Sequence, residues 1–252
     1  MDISEISSIQ TQITDFITQH APANGVVLGV SGGIDSALVL TLCVTALGKE
    51  RTTALFMPED ANDIGDTIKQ YVQQLGVAQE TIPIKPIFEV YVSHGGITDE
   101  QLVAGNLKAR IRMSLLYSRS NAQGLVVMGT GNRSEMLTGY FTKYGDGGVD
   151  YLPIAALYKT QVRELAKHMG VPQAIIDQPP TAGLWAGQTD EEELGITYEK
   201  LDLVLREHAD KGVPFNEIHL PGITPEEIEA VRKRVENNSF KLIAPPICQL
   251  KQ

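Results

Sequence analysis

Apolar residues along this chain follow two rhythms, short solid runs and longer stretches of helical period. The first twenty residues place Ile3, Ile6, Ile9, Ile13, Phe16 and Ile17 on one face of an amphipathic helix. Val26, Val27, Leu28 and Val30 form a compact run, the mark of a buried strand, and Leu38, Val39, Leu42 and Val44 return at helical spacing. The alternation continues with a strand over 53–57, ended by Pro58, and a helix over 63–75, stopped by Gly76. A third strand over 81–87, a long helix over 98–120 and a fourth strand over 125–128 follow. Such alternation predicts an α/β fold: a parallel β-sheet flanked by helices on both faces, with ligands at the C-terminal strand ends. The Gly-containing turns at 31–36 and 129–131 should then share one sheet edge.

Beyond residue 145 the rhythm changes. GDGGVDYLPI reads as a Gly-rich turn before a short strand, then a helix over 159–169 stopped by Gly170 and Pro172. Residues 178–195 carry Pro, Gly and polar residues without apolar period, as expected of a mobile lid. Two further helices are predicted over 198–205 and 225–237, the second with Thr224 as N-cap and Glu227 at the capping-box position. No repeat or linker interrupts the chain, so one domain is expected over 1–252: an N-terminal helix (1–20), a nucleotide-binding core (24–176), the lid (178–195) and C-terminal helices (197–252).

Composition narrows the partners. Lys and Arg number 21 against 31 acids, a formal charge of −10 with no dense basic tract, which argues against nucleic acid. Two cysteines and five scattered histidines suggest neither a disulfide framework nor a zinc site. The N-terminus has acids where a signal peptide needs bases, and the longest apolar stretch, 37–48, is too short to span a bilayer. A cytoplasmic enzyme without membrane contact is the expectation.

Candidate chemistry begins at Ser31-Gly32-Gly33-Ile34-Asp35-Ser36, between the first strand and its helix. A loop of this kind offers backbone N–H groups at the positive end of a helix dipole, and its glycines admit phosphate oxygens close to the main chain. It lacks the lysine of a P-loop, and its adjacent glycines do not fit the dinucleotide fingerprint. An acid inside a phosphate loop calls for a divalent cation, so Asp35 reads as a magnesium ligand. Glu135, just after the second turn, either completes that site or serves as a first-turn helix acid.

SGGIDS, GNLKARIRM (105–113), GTGNRSEMLTGYFTKYGDGGVD (129–150), LYKTQVRELA (157–166) and QTDEEELGITYEKLD (188–202), in this order, resemble the ammonia-dependent NAD synthetase family of the ATP pyrophosphatases. The resemblance covers about 24–245, and the run 129–150 is its most discriminating part. It implies an adenine-nucleotide α-hydrolase-like fold. It also implies a homodimer that converts nicotinic acid adenine dinucleotide (deamido-NAD), ATP and ammonia to NAD, AMP and pyrophosphate through an acyl-adenylate. In the family's terms Gly29, Ser31, Gly32, Gly33, Asp35 and Ser36 would hold ATP together with Thr130, Lys159 and Thr181, while Asp35 and Glu135 bind Mg2+. Lys159 would neutralise charge developing on the phosphates. Arg110, Tyr117, Lys143, Asp146, Asp150 and Lys241 would contact deamido-NAD, with Asp150 taking the proton that ammonia must lose. On spacing alone Arg110 and Tyr117 fit equally a solvated arginine and a core-edge tyrosine, and Asp146 rivals Asp150.

Two stretches depart from the family. Where members carry His-Lys-Arg before a proline, this chain has Ser239-Phe240-Lys241-Leu242, and beside the adenine position it reads Phe56-Met57-Pro58-Glu59-Asp60. The alternatives are another adenylating ATP pyrophosphatase, or a non-catalytic adenine-nucleotide-binding module built on the same sheet. The chain has no room for the nitrilase-like domain of glutamine-dependent synthetases, so ammonia or a separate donor protein is the expected nitrogen source.

Overall fold

Alternate residues of the first apolar run enter opposite cores, which is why the run tolerates no polar member. Val26, Leu28 and Val30 pack with Ile17, Leu38 and Leu42, whereas Val27 packs with Leu55, Ile111, Leu116 and Val127. The computed structural model describes residues 1–96, 100–181, 183, 185 and 187–248. Its strands β1 (Val26–Gly29), β2 (Thr52–Phe56), β3 (Ala78–Thr81) and β4 (Val126–Val127) form one sheet in the order β3-β2-β1-β4. All pairings are parallel, with Gly29 opposite Leu55 and Val27 opposite Val127.

Helices cover both faces. One is packed by α1 (Ile3–His20), α2 (Ile34–Leu47), α3 (Asp66–Leu75), α7 (Lys159–His168) and α8 (Gln173–Ile176). The other is packed by α4 (Lys85–Gly95) and α5 (Gln101–Gln123). After β4 come α6 (Arg133–Thr138), α9 (Asp190–Leu194), α10 (Tyr198–Leu205) and α11 (Pro225–Asn238). A separate apolar cluster, with Tyr198 and Leu201 at full burial, joins the last three. Thr224 caps α11 in the expected capping box with Glu227.

The expected third strand lies elsewhere. The ladder ends at Thr81, and 85–95 is helical. Pro83 and Pro86 have no N–H to give a ladder, and Pro86 is well placed in the first turn of a helix. Only a bridge between Met128 and Tyr151 remains of the strand expected after GDGGVD. Within the expected lid, Asp190–Leu194 is helical and the Asp190 N–H donates to the Pro180 carbonyl at 3.0 Å. Ala182, Leu184 and Ala186 of that segment, and 97–99 within the expected helix 98–120, lie outside the described residues.

From β1 the chain moves to β2 on one side and later returns to β4 on the other. That reversal opens a crevice at the C-terminal ends of β1 and β4. Among the described residues no helix is long and apolar enough to cross a membrane.

Candidate active site

The turn after β1 brings the chain into α2 through Gly32, whose φ of +96° is accessible to few residues other than glycine. Gly33 is the N-cap, and no side chain caps this end of the helix. Ser31 and Ser36 brace the loop internally: Ser36 Oγ accepts from Ser31 N at 3.3 Å and donates to the Gly33 carbonyl at 2.9 Å. The main-chain positive end of α2 therefore faces the crevice, with Asp35 in its first turn.

The turn after β4 arrives at the same edge, as expected from the pattern, and Asn132 joins the two turns. Its amide donates to Asp35 Oδ1 at 3.0 Å, while its carbonyl oxygen accepts from Glu135 N and Glu135 Oε2 accepts from Asn132 N, both at 3.1 Å. This capping box fixes Glu135 at the start of α6 and holds Asp35 toward it. Thr130 lies in the same turn, half-buried.

Lys159, the first residue of α7, supplies the cation. Its side chain is only 3 % exposed, and its ammonium pairs with Asp35 Oδ2 and lies 3.6 Å from Glu135 Oε1. Ser134 and Asp202 hold the start of this helix: Lys159 N donates to Ser134 Oγ at 3.0 Å and Thr160 N to Asp202 Oδ2 at 2.9 Å. Burial alone would lower the ammonium's pKa, but Asp35, Glu135 and Asp190 outweigh it and raise the value, so Lys159 is charged. Burial and the Asp35 charge raise the pKa of Glu135 as well, up to about 8, against the attraction of Lys159. A carboxyl that keeps its proton beside an ionised aspartate and a single ammonium marks a corner short of positive charge. With phosphate oxygens and water the two acids form a hard-oxygen set suited to magnesium, and Lys159 marks where a cation is wanted. Among the described residues no cluster of three or more His, Cys, Asp or Glu could hold a metal by protein ligands alone.

The expected dinucleotide residues lie along α5 and the segment after α6. Tyr117 donates to Asp150 Oδ1 at 2.8 Å, and Asp150 Oδ2 accepts from Val127 N at 2.8 Å, so this carboxylate also ties the segment to β4. Arg110 is exposed and reaches the Lys143 carbonyl at 3.4 Å. Asp146 Oδ1 accepts from Thr142 N at 2.8 Å. Lys143 donates to the Phe240 and Ile243 carbonyls at 2.9 and 3.1 Å, and Lys241 to those of Gly139 and Phe141 at 2.6 and 2.9 Å. Thr181 is exposed and its hydroxyl accepts locally from Gly183 N at 3.0 Å. At the divergent stretch after β2, Glu59 pairs with Lys108, and the Met57 carbonyl accepts from Arg112 Nε at 2.9 Å.

Sequence reading missed Asn132, Ser134, Asp202 and Tyr198. Asn132 carried a local signal, the Asn-x-x-Glu spacing of a capping box directly after a strand. Asp202 and Tyr198 carried none, because they reach α6 and α7 from α10.

The NAD synthase family model matches residues 5–245. The NH(3)-dependent NAD(+) synthetase of Methanosarcina mazei is 45% identical over 98% of this chain and 99% of its own length. Among solved structures, an NMN synthetase from Francisella tularensis superposes with a TM-score of 0.85 at 31% identity, covering 97% of this chain and 99% of that one. An NH3-dependent NAD synthetase from Campylobacter jejuni, in complex with the nitrate ion, gives 0.81 at 33%, covering 99% and 100%.

Proposed function

The chain belongs to the NAD synthase family, and from that premise we propose that it is a ligase that amidates nicotinic acid adenine dinucleotide with ammonia at the expense of ATP. The observation that carries this reading is the full-length likeness to a relative named for that reaction, in a chain that also has the Asp35–Glu135–Lys159 corner. A carboxylate is too poor an electrophile for ammonia, so it first attacks the α-phosphorus of ATP, releasing pyrophosphate and forming an acyl-adenylate. Ammonia then adds to the acyl carbon, loses a proton and expels AMP.

In this reading the uncapped N-terminus of α2, with Gly29, Ser31, Gly32, Gly33 and Ser36, receives phosphate oxygens. Asp35 and Glu135 would hold Mg2+, which neutralises the polyphosphate and orients it. Lys159 meets the charge that grows on the phosphates during attack, and Thr130 and Thr181 hydrogen-bond them. Arg110, Tyr117, Lys143, Asp146 and Lys241 surround the deamido-NAD, and Asp150 accepts the proton from ammonia. The homodimer belongs to the same proposal, supported by the exposed apolar residues Val90, Tyr91, Leu102 and Val103 on α4 and α5.

A second reading has one specific observation behind it, the TM-score of 0.85 to an NMN synthetase. There the acid substrate would be the mononucleotide. Both are tested by supplying ATP, magnesium and either acid nucleotide, with ammonium or glutamine as sole nitrogen source, to wild type and Asp35→Ala. NAD from the dinucleotide with ammonium, reduced at least about 100-fold in Asp35→Ala, is expected. Preferential amidation of the mononucleotide would replace the substrate, and no amide from either would sink the synthetase reading.

A further inference from the structure

One buried acid near the corner has no role in the mechanism above. Asp190 is 3% exposed, and its Oδ1 has no hydrogen-bond partner, an expensive state for a carboxylate unless something with positive charge reaches it. Its Oδ2 accepts from the Tyr198 hydroxyl at 3.0 Å. The ring of that same tyrosine, fully buried, lies 5.2 Å from the Lys159 ammonium. A single tyrosine thus touches both the ammonium, through its ring, and a half-satisfied carboxylate, through its hydroxyl.

Charge gives the connection a purpose. Once a metal displaces the Glu135 proton, Asp35, Glu135 and Asp190 would carry three negative charges against the one positive charge of Lys159, and a divalent cation would balance the set. That cation would also claim the oxygens that Lys159 now occupies. The main chain of Lys159 is anchored by Ser134 and its helix by Asp202, so the far end of the side chain is the part free to yield. A buried ammonium that leaves two carboxylates needs another.

We propose that Asp190, together with the Tyr198 ring, is a positioning element that seats the Lys159 ammonium when a divalent cation takes the Asp35 and Glu135 carboxylates. The inference rests on the reading of those two acids as metal ligands.

The test is a double-mutant cycle on Mg2+ affinity, measured calorimetrically without nucleotide on folded wild type, Asp190→Asn, Lys159→Met and the double variant. Asp190→Asn is expected to weaken Mg2+ about tenfold in the wild-type background and by less than about twofold where Lys159 is already gone. Asp190→Glu, which keeps the carboxylate, is expected to recover most of the loss. Equal weakening in both backgrounds would make Asp190 a plain source of negative potential or a ligand and overturn the seat, as would no weakening in either. Wild type that binds no Mg2+ would overturn the metal reading itself and the seat with it. Should Asp190→Asn not fold, Tyr198→Phe runs the same cycle with an expected threefold effect, about half the logarithm of the first.

Discussion

The corner around Asp35 and the surface around Lys241 use the same residue types in opposite ways. At the corner a buried lysine and two half-buried acids meet one another at the starts of α2, α6 and α7. At the surface the lysines donate to main-chain carbonyls, and Asp146 and Asp150 accept from main-chain N–H groups. Apart from the two bonds that Asn132 gives Asp35 and Glu135, the corner charges face one another and remain available to an incoming phosphate and cation, and burial amplifies what they do there. Charges tied to the backbone give a segment its shape. The first arrangement suits chemistry, and the second suits a recognition surface whose form matters more than any one side chain.

Removing Lys159 breaks the corner most severely. Lys159→Met leaves Asp35 and Glu135 facing each other without a cation, and losing one partner of a buried pair costs about 3–5 kcal/mol. We expect kcat to fall roughly 10²–10³-fold and the metal-free melting temperature to drop, with Mg2+ restoring much of the stability but little of the rate. A variant with wild-type kcat would move the phosphate-stabilising role elsewhere.

The next effect is on stability against pH. Glu135 is pushed from 4.5 to about 8, by burial first and by Asp35 second, with Asp190 adding to the rise and Lys159 opposing it. The folded chain then holds a proton that the unfolded chain releases between those values, so stability is greatest below the unfolded pKa and declines as pH rises toward 8. Metal-free protein should lose several degrees of melting temperature between about pH 6 and 8.5, at roughly 3 °C per kcal/mol. Glu135→Gln should flatten that slope, as should saturating Mg2+. A slope unchanged in Glu135→Gln would place the titrating group outside the corner.

What could be read from the chain divides along the same line. SGGIDS, Glu135 and Lys159 sit at strand ends and helix starts, where local spacing already states direction and charge. The groups that aim them, Asn132 excepted, come from afar: Asp202 and Tyr198 lie on α10, more than forty residues beyond Ser134. No periodicity encodes such a meeting. The sheet shows the same limit. β1, β2 and β4 have apolar runs because both faces are covered, whereas β3 is an exposed edge of Ala78, Gln79, Glu80 and Thr81, and the more apolar stretch beyond it drew the expectation downstream. Proline, lacking the ladder N–H, decided against that reading.

At the surface, the larger of two expected effects comes from Lys241. Its ammonium donates to two carbonyls, of Gly139 and Phe141, and holds the C-terminal segment against the stretch that carries Lys143. Lys241→Ala should raise KM for the acid dinucleotide about tenfold, as expected for losing hydrogen bonds from a charged group, while kcat stays within about twofold. A fall in kcat at unchanged KM would show that this surface takes part in the chemical steps, and the contrast with the corner would fail.

Tyr117→Phe is the smallest change and the one that sharpens the contrast most. The tyrosine hydroxyl has its pKa pushed up to about 12, by burial and by the hydrogen bond to Asp150, so it remains a donor throughout the working range. Deleting it releases Asp150 Oδ1 while Oδ2 stays bound to Val127 N, so the fold should lose only about 1 kcal/mol. If Tyr117 and Asp150 serve recognition alone, KM for the dinucleotide rises about threefold and KM for ammonium is unaltered. If Asp150 receives the proton from ammonia, the released oxygen becomes a better acceptor, and the change falls on the ammonium dependence at saturating dinucleotide. Measuring both KM values in one variant therefore decides whether the carboxylate at the end of β4 shapes a surface or handles a proton.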